Sequence, residues 1–268
     1  MIPGIDVSHW QGDIDWLKVA QCGVKFAFIK ATEFPDKKTT VYIDDKLKKN
    51  VAGAIQNGVV WGAYHYFRTH IDPVIQARTF CETVGQFSSL PPVLDLEVAG
   101  CNGAKLNEKV ISFIKEVERI TNRQPIIYTS GGFWRGYMMY NRRTDTDWAS
   151  PYSLWLAQYT ATWPTVIYPW AGYDFWQYSD KGRIPGIATG VDLDWYMGTL
   201  EEIQQRFIGT KISKTYTDLT DSRNLDPVTE KDNPINENLM KKSSPQLAPD
   251  QTEQESDDSW IKRYFFNR

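Results

Sequence analysis

Two acidic residues stand two positions apart at the end of an apolar run. Asp95 and Glu97 follow Val93 and Leu94 in the stretch PPVLDLEVAG, with only Leu96 between them. On a strand, residues i and i+2 point the same way, so the two carboxyls would lie about 6–7 Å apart on one face. Crowded carboxyls raise each other's pKa, which suits acid chemistry near neutral pH. A solvated strand end that faces lysines or arginines is the alternative that this pair leaves open.

Three further acids stand in two other predicted strands. Asp6 lies in GIDVSHW, and Asp192 and Asp194 lie in GVDLDWY. The first and last strands of a closed barrel adjoin, so these acids would meet the D-x-E pair at one mouth. One protonated and one ionised carboxyl group around a bond is the requirement for glycoside hydrolysis. The sequence shows no G-x-S-x-G elbow, P-loop or G-x-G-x-x-G motif, which disfavours serine-hydrolase and nucleotide-binding chemistry.

Short apolar or β-branched runs predict eight strands. They cover residues 2–8, 26–32, 59–67, 91–98, 125–130, 153–159, 173–179 and 190–196. Helical patterns separate the early strands, with Gly23 and Gly58 placed to end the first two helices, and these patterns thin out after residue 130. Repeated strand–helix alternation predicts an α/β fold with a parallel sheet, and eight such strands predict an irregular (β/α) barrel.

The composition disfavours several classes of partner. A net charge of −3 argues against nucleic acid, and no apolar run approaches the ~20 residues of a membrane span. Cys22, Cys81 and Cys101 form no C-x-x-C pair, and the three histidines show no zinc spacing, so we expect free thiols, no metal and no cofactor. The N-terminal stretch MIPGIDVSHW lacks a basic segment followed by an apolar one. We therefore expect no signal peptide, and an exit from the cell by another route.

The composition changes near residue 209. Residues 210–258 are rich in charged and polar residues and proline, without glycine or apolar periodicity, and this predicts a flexible linker. Residues 259–268, SWIKRYFFNR, regain aromatic and basic residues. In a helix, Trp260, Ile261, Tyr264 and Phe265 would form one apolar face, which predicts a docking segment. The alternatives are a cap that folds back onto the barrel and an anchor to a phage structural protein or a membrane surface.

Eight blocks of the sequence resemble, in order, those of glycoside hydrolase family 25, the N-acetylmuramidases or Chalaropsis-type lysozymes. The blocks are GIDVSHWQGDIDW, FAFIKATE, GAYHYF, PPVLDLE, PIIYTS, LWLAQY, FWQYS and GVDLDWYMG. Eight blocks in order, over residues 2–208, are far more specific than any one alone. The resemblance implies a flattened, irregular barrel over residues 1–209. It also implies cleavage of the β-1,4 bond between N-acetylmuramic acid and N-acetylglucosamine in bacterial peptidoglycan.

The resemblance implies four catalytic positions. Glu97 matches the general acid of the D-x-E block and Asp95 its first acid, while Asp6 matches the acid of the D-V-S block. Asp192 matches the acid of the last strand, and Asp194 stands where the family often has Asn, so we interpret it as structural. We expect Glu97 to have a raised pKa, and we expect Asp95 to stay ionised and held by hydrogen bonds. The substrate's 2-acetamido group, steadied by Asp95, is the favoured nucleophile over a direct carboxylate.

Aromatic residues are abundant, with 11 Trp, 14 Tyr and 12 Phe. They suit a cleft that stacks against sugar rings, although strand alternation turns about half of them away from the barrel interior. The candidates for gripping the sugar are Tyr64, Tyr66, Tyr128, Trp155, Trp176 and Gln177. We interpret His9 and Trp10 as supports of the first turn.

Several functions stay open on the sequence alone. The favoured one is a phage lysin, either an endolysin that reaches the wall from the host cytoplasm through a holin or a virion-associated lysin. A host wall-remodelling muramidase, a non-catalytic wall-binding module and a hydrolase of another acetamido polysaccharide are the alternatives. The intact acids at Asp6, Asp95, Glu97 and Asp192 disfavour the non-catalytic module.

Overall fold

A computed structural model of the chain describes residues 1–85, 88–140, 142–160 and 162–208. The predicted linker over residues 210–258 and the predicted docking segment over residues 259–268 lie outside this part of the chain.

The strands and helices follow the predicted alternation. The strands are β1 (Ile2–Val7), β2 (Phe26–Glu33), β3 (Tyr42–Ile43), β4 (Val60–Tyr66), β5 (Val93–Asp95), β6 (Ile126–Ser130), β7 (Leu154–Ala157), β8 (Phe175–Gly182) and β9 (Val191–Tyr196). The longer helices are α1 (Trp16–Gln21), α2 (Leu47–Gln56), α3 (Pro73–Val84) and α4 (Gly103–Thr121). Shorter helical segments are His9–Gln11, Gly131–Phe133, Trp134–Met138, Arg143–Ala149, Leu200–Ile203 and Gln204–Ile208.

Eight strands close into a barrel in the order β1-β2-β4-β5-β6-β7-β8-β9, because β9 pairs with β1 as well as with β8. Neighbouring strands from β1 round to β8 are parallel. The two-residue strand β3 adds to the end of β2 outside this ring. The predicted α/β barrel is therefore confirmed.

The last strand departs from the predicted parallel sheet, since β9 runs antiparallel to both of its neighbours. Only residues 183–190 connect β8 to β9, whereas a parallel crossover takes a dozen residues or more. The chain therefore turns straight back. As a result the start of β9, and not its end, lies at the mouth where the other strands finish.

Aromatic rings fill the lower part of the barrel interior. Phe26 and Phe175 lie near the N-terminal ends of their strands, and Phe28 stacks on Trp155 with ring centroids 4.2 Å apart. Gly4 on β1 makes room for this layer, because a side chain there would collide with the Phe26 ring. Above these rings the inward-facing positions become polar, so the packed core forms the floor of a polar site.

The helices cover the outside of the first half of the barrel. The apolar stripe of α4, which includes Val110, Phe113 and Val117, is fully buried. Gly23 and Gly58 end α1 and α2 as predicted, with φ of +97° and +69°, a conformation that favours glycine. The predicted thinning after residue 130 is confirmed, since only short helical segments follow in the described chain. None of the described helices has the length and apolarity to cross a bilayer.

Candidate active site

A cleft of about 250 Å³ opens at the end of the barrel where the parallel strands finish. The four acids that the family motif selects all line it: Asp6, Asp95, Glu97 and Asp192. Five of the six sugar-gripping candidates line it too: Tyr64, Tyr66, Tyr128, Trp155 and Gln177. The fold thus brings together residues that are distant in sequence, since Asp6 and Asp192 are 186 positions apart.

The two acids of the D-x-E stretch differ in exposure. Asp95 is the last residue of β5 and is 6% exposed, whereas Glu97 lies beyond the strand and is exposed at the cleft. Strand-like pairing continues one residue further, since the Leu96 amide donates to the Tyr128 carbonyl at 3.0 Å. The Asp95 Oδ1 atom is buried without a hydrogen-bond partner among the described residues. The expectation that hydrogen bonds hold this carboxylate is therefore not met at Oδ1.

The Glu97 carboxyl lies among a hydroxyl and two cations. Partial desolvation by the surrounding cleft walls raises the pKa of Glu97, while the Tyr66 hydroxyl, Lys30 and Arg68 oppose that shift. Burial first, and then repulsion from Glu97, raises the pKa of Asp95 well above its usual range. The pair therefore keeps a proton at a pH where isolated carboxyls have lost theirs, as a general acid requires.

Lys30 is a site residue that the sequence analysis missed. It is 7% exposed on β2, its Nζ lies 2.7 Å from Glu33 Oε2, and it sits 5.1 Å from the centre of the Tyr66 ring. A lysine inside the otherwise apolar run FAFIK is the signal that could have revealed it, because a buried cation needs an acidic partner. Its charge lowers the pKa of both Asp95 and Glu97, which limits the shift that burial produces.

Asp6 is held by a chain of hydrogen bonds from across the barrel. Gln177 Nε2 donates to Asp6 Oδ2 at 2.7 Å, and the Tyr128 and Tyr159 hydroxyls both donate to Gln177 Oε1 at 2.9 Å. Two donors on Oε1 fix the orientation of the amide, so its NH₂ group must face Asp6. Tyr159, which the sequence analysis did not select, is thereby tied to the site. In this arrangement the Gln177 amide donates to Asp6. Its predicted contact with the sugar stays a proposal.

The acids of β9 surround Asp6 from the other side. Asp192 lies opposite Asp6 in the antiparallel register, and Asp194 lies deeper and is fully buried. The Trp155 indole donates to Asp194 Oδ1 at 2.8 Å. Asp194 Oδ2 has no hydrogen-bond partner among the described residues, and its carboxyl neighbours that of Asp6. A hydrogen bond between these two carboxyls requires that one of them is protonated. Burial, followed by the neighbouring Asp6 charge, raises the pKa of Asp192 to about 9.

Stability should depend on pH through Asp192. A carboxyl whose pKa is higher in the folded than in the unfolded chain stabilises the fold while protonated, and that stability is lost as the pH rises. For Asp192 the window runs from the ordinary aspartate pKa of 3.8 to a pKa of about 9. Asp192→Asn cannot ionise, so its Tm should fall less than that of the wild type between pH 5 and pH 9. Equal slopes of Tm against pH for the two proteins would contradict the raised pKa of Asp192.

Trp176 does not lie in the cleft, so its predicted place there is wrong. Gln177 points inward from β8, so strand alternation turns Trp176 outward. The Trp176 indole donates to the Gln158 carbonyl at 2.8 Å, and its ring packs against Trp163 and Tyr178. Trp155 does face inward, but at 2% exposure it forms the floor of the cleft more than a stacking surface.

Three potential metal ligands lie close together near the cleft. Atoms of His9, Asp44 and Asp45 fall within 4.8 Å of one another. Protein contacts already account for the buried member, since Asp44 Oδ2 accepts from the His9 amide and ring and Oδ1 accepts from the Lys46 amide. We assign no ion to this group.

Comparison with known proteins gives one family. Residues 5–187 match the family model for glycosyl hydrolases family 25. Lysozyme M1 of Streptomyces globisporus is 33% identical over 212 residues, which cover 74% of this chain and 68% of that protein. The uncharacterized protein YegX of Escherichia coli K12 is 37% identical over 218 residues, which cover 78% and 75%.

A solved structure agrees with the sequence comparison. The bacterial lysozyme from Streptomyces coelicolor superposes with a TM-score of 0.67 at 31% identity, covering 75% of this chain and 94% of that one. The likeness spans the whole barrel.

Proposed function

The chain belongs to glycosyl hydrolase family 25, and from that premise we propose that it is a muramidase that cleaves the β-1,4 bond between N-acetylmuramic acid and N-acetylglucosamine in peptidoglycan. The observation that carries the proposal is the convergence of Asp6, Asp95, Glu97 and Asp192 around one cleft. The pKa values of Asp95 and Glu97 are both raised there.

Glu97 supplies the proton for bond cleavage. It is the more exposed acid of the pair, and its raised pKa favours the protonated form that a general acid needs. As the bond between C1 and the bridging oxygen breaks, Glu97 donates its proton to that oxygen. Lys30 and Arg68 then stabilise the carboxylate that remains.

The substrate's own acetamido group is the nucleophile in this proposal. Its carbonyl oxygen bonds to C1 as the leaving sugar departs, and Asp95 accepts a hydrogen bond from the acetamido N–H. Asp95 lines the cleft and its Oδ1 lacks a partner within the described protein, so this carboxylate has acceptor capacity left for such a group. Water then attacks C1 and passes a proton to the Glu97 carboxylate, while the bond between C1 and the acetamido oxygen breaks; this restores both the acid and the acetamido group. Asp6 and Asp192 fix the orientation and protonation state of this carboxyl cluster.

Purified insoluble peptidoglycan tests the activity. The wild-type protein should release new reducing ends and clear the suspension. The Glu97→Gln variant, which lacks the general acid, should do neither. A folded wild-type protein that releases no reducing ends from peptidoglycan would overturn the proposal.

We also propose a biological setting, a lysin used by a phage as an endolysin or carried on the virion. What supports it is the composition of residues 210–268, a polar tether followed by an aromatic and basic segment. The named relatives are bacterial, so host wall remodelling is the competing setting.

Truncation after Gly209 tests the tether. The shortened protein should keep its activity on isolated wall, while losing its retention on phage particles or anionic vesicles in a sedimentation assay. If the full chain does not sediment with either of them, or if truncation leaves sedimentation unchanged, the docking segment is not an anchor.

A further inference from the structure

Trp10 is a large apolar side chain that is 73% exposed and lines the cleft. It stands in the short helical segment His9–Gln11 that directly follows β1. An exposed indole of this kind contributes little to the core, so support of the first turn does not by itself account for a tryptophan at this position.

The segment beneath Trp10 is held rigidly. The Ser8 and Gln11 side chains cap the segment reciprocally, and Gln11 Nε2 donates to the Gly190 carbonyl at 3.1 Å. The Thr189 hydroxyl also reaches the Trp10 carbonyl, at 3.5 Å. The first turn is thereby joined to the loop that leads into β9, which carries Asp192.

A second ring supports the indole from below. The His9 ring lies 4.6 Å from the Trp10 ring, and it is fixed because Asp44 Oδ2 accepts from both its Nδ1 and its amide, at 2.9 and 3.0 Å. Asp44 is 3% exposed, and the edge of Tyr42 packs on the other side of His9 at 5.6 Å. Several elements thus hold one solvent-facing indole in place, although this indole adds little to the hydrophobic core.

The position of Trp10 determines what could cover it. β5 is the third strand from β1 around the barrel wall. At ~4.8 Å per strand, the two strands are about 14 Å apart along the wall. A ring that lies on Trp10 is therefore not the sugar held against Asp95 and Glu97. The C–H face of a pyranose carries partial positive charge and suits the negative face of an indole.

We propose that Trp10 is a stacking platform for a pyranose ring of the glycan strand, distinct from the sugar that is held against Asp95 and Glu97. This inference rests on the proposed function. It implies that the enzyme gains affinity from the length of the glycan, and that Trp10 contributes to binding and not to the chemical step.

Trp10→Ala tests the platform, with Trp163→Ala as the matched control. Trp163 is 60% exposed and packs on Trp176, and it does not line the cleft. Binding of an octasaccharide of alternating N-acetylglucosamine and N-acetylmuramic acid is measured by calorimetry in the inactive Glu97→Gln background. We expect Trp10→Ala to weaken Kd about tenfold, within the range known for stacking on aromatic side chains. Trp10→Phe should recover most of that loss, and Trp163→Ala should match the parent.

Kinetics on soluble glycan separate this inference from the proposed function. In active enzyme, Trp10→Ala should raise KM about tenfold and change kcat less than twofold. If Trp10→Ala and its parent have equal Kd and KM values, Trp10 is not a stacking platform. Hydrolysis by the wild type would still support a muramidase in that case. An equal loss in Trp163→Ala would also overturn it. Failure of the wild type to cleave the glycan would instead remove the proposed function.

Discussion

Glu97→Gln should lose activity by a factor of about 10²–10⁴, the range for a positioned general acid. Glutamine keeps the size of the side chain but cannot donate a proton to the leaving oxygen. Because Glu97 is exposed at the cleft, the substitution should leave Tm within a few degrees of the wild type. The measurement is the initial rate of reducing-end release from peptidoglycan, with circular dichroism as the check on folding.

An activated substrate separates acid catalysis from a structural role. An aryl glycoside of N-acetylmuramic acid with a nitrophenolate leaving group needs little protonation, so Glu97→Gln should cleave it far better, relative to the wild type, than it cleaves peptidoglycan. A folded Glu97→Gln protein with a wild-type rate on peptidoglycan would refute the assignment.

Asp95→Asn should cost about 10²–10³ in rate, comparable to the loss of one preorganised electrostatic group in a water-poor site. The substitution removes the acceptor that is proposed for the acetamido N–H, and it removes the charge beside Glu97. Less repulsion lowers the pKa of Glu97. The alkaline side of the pH–rate profile should therefore move to lower pH in whatever activity remains, and the nitrophenyl substrate should not restore the rate.

Asp194→Asn is the matched control for Asp95→Asn. It removes a buried carboxyl of the same cluster, but its amide oxygen can still accept from the Trp155 indole. We expect its rate to stay near that of the wild type. Asp95→Asn with a wild-type rate would contradict the role of Asp95. An inactive but folded Asp194→Asn would show that Asp194, and not Asp192, is the acid of the last strand that the reaction needs.

The sequence was sufficient for the barrel because a periodic helix follows each early strand and glycines end the first two helices, and these are local signals. It was insufficient for the direction of β9, because that depends on the short connection over residues 183–190 and not on the strand's own pattern. The direction matters for the site. It places Asp192 at the mouth and Asp194 below it, whereas a parallel strand would have reversed them.

Site residues were predictable where a motif marks them and less so elsewhere. Trp176 and Gln177 adjoin in sequence, and the sequence alone does not reveal which one faces the interior. Lys30 and Tyr159 enter the site through contacts with Tyr66 and Gln177, which lie on other strands. Trp10 could not be distinguished from a buried support, because exposure depends on which loops pack over it. Pairing and packing between distant segments decide these points.

The mass of the new chain ends tests the central claim most directly. Peptidoglycan digested with the wild-type protein is reduced with borodeuteride, hydrolysed to its amino sugars and examined by mass spectrometry. We predict that the deuterium label appears in muramitol, because cleavage leaves N-acetylmuramic acid at the reducing end. Label in glucosaminitol, or free stem peptides without any labelled sugar, would contradict the muramidase assignment.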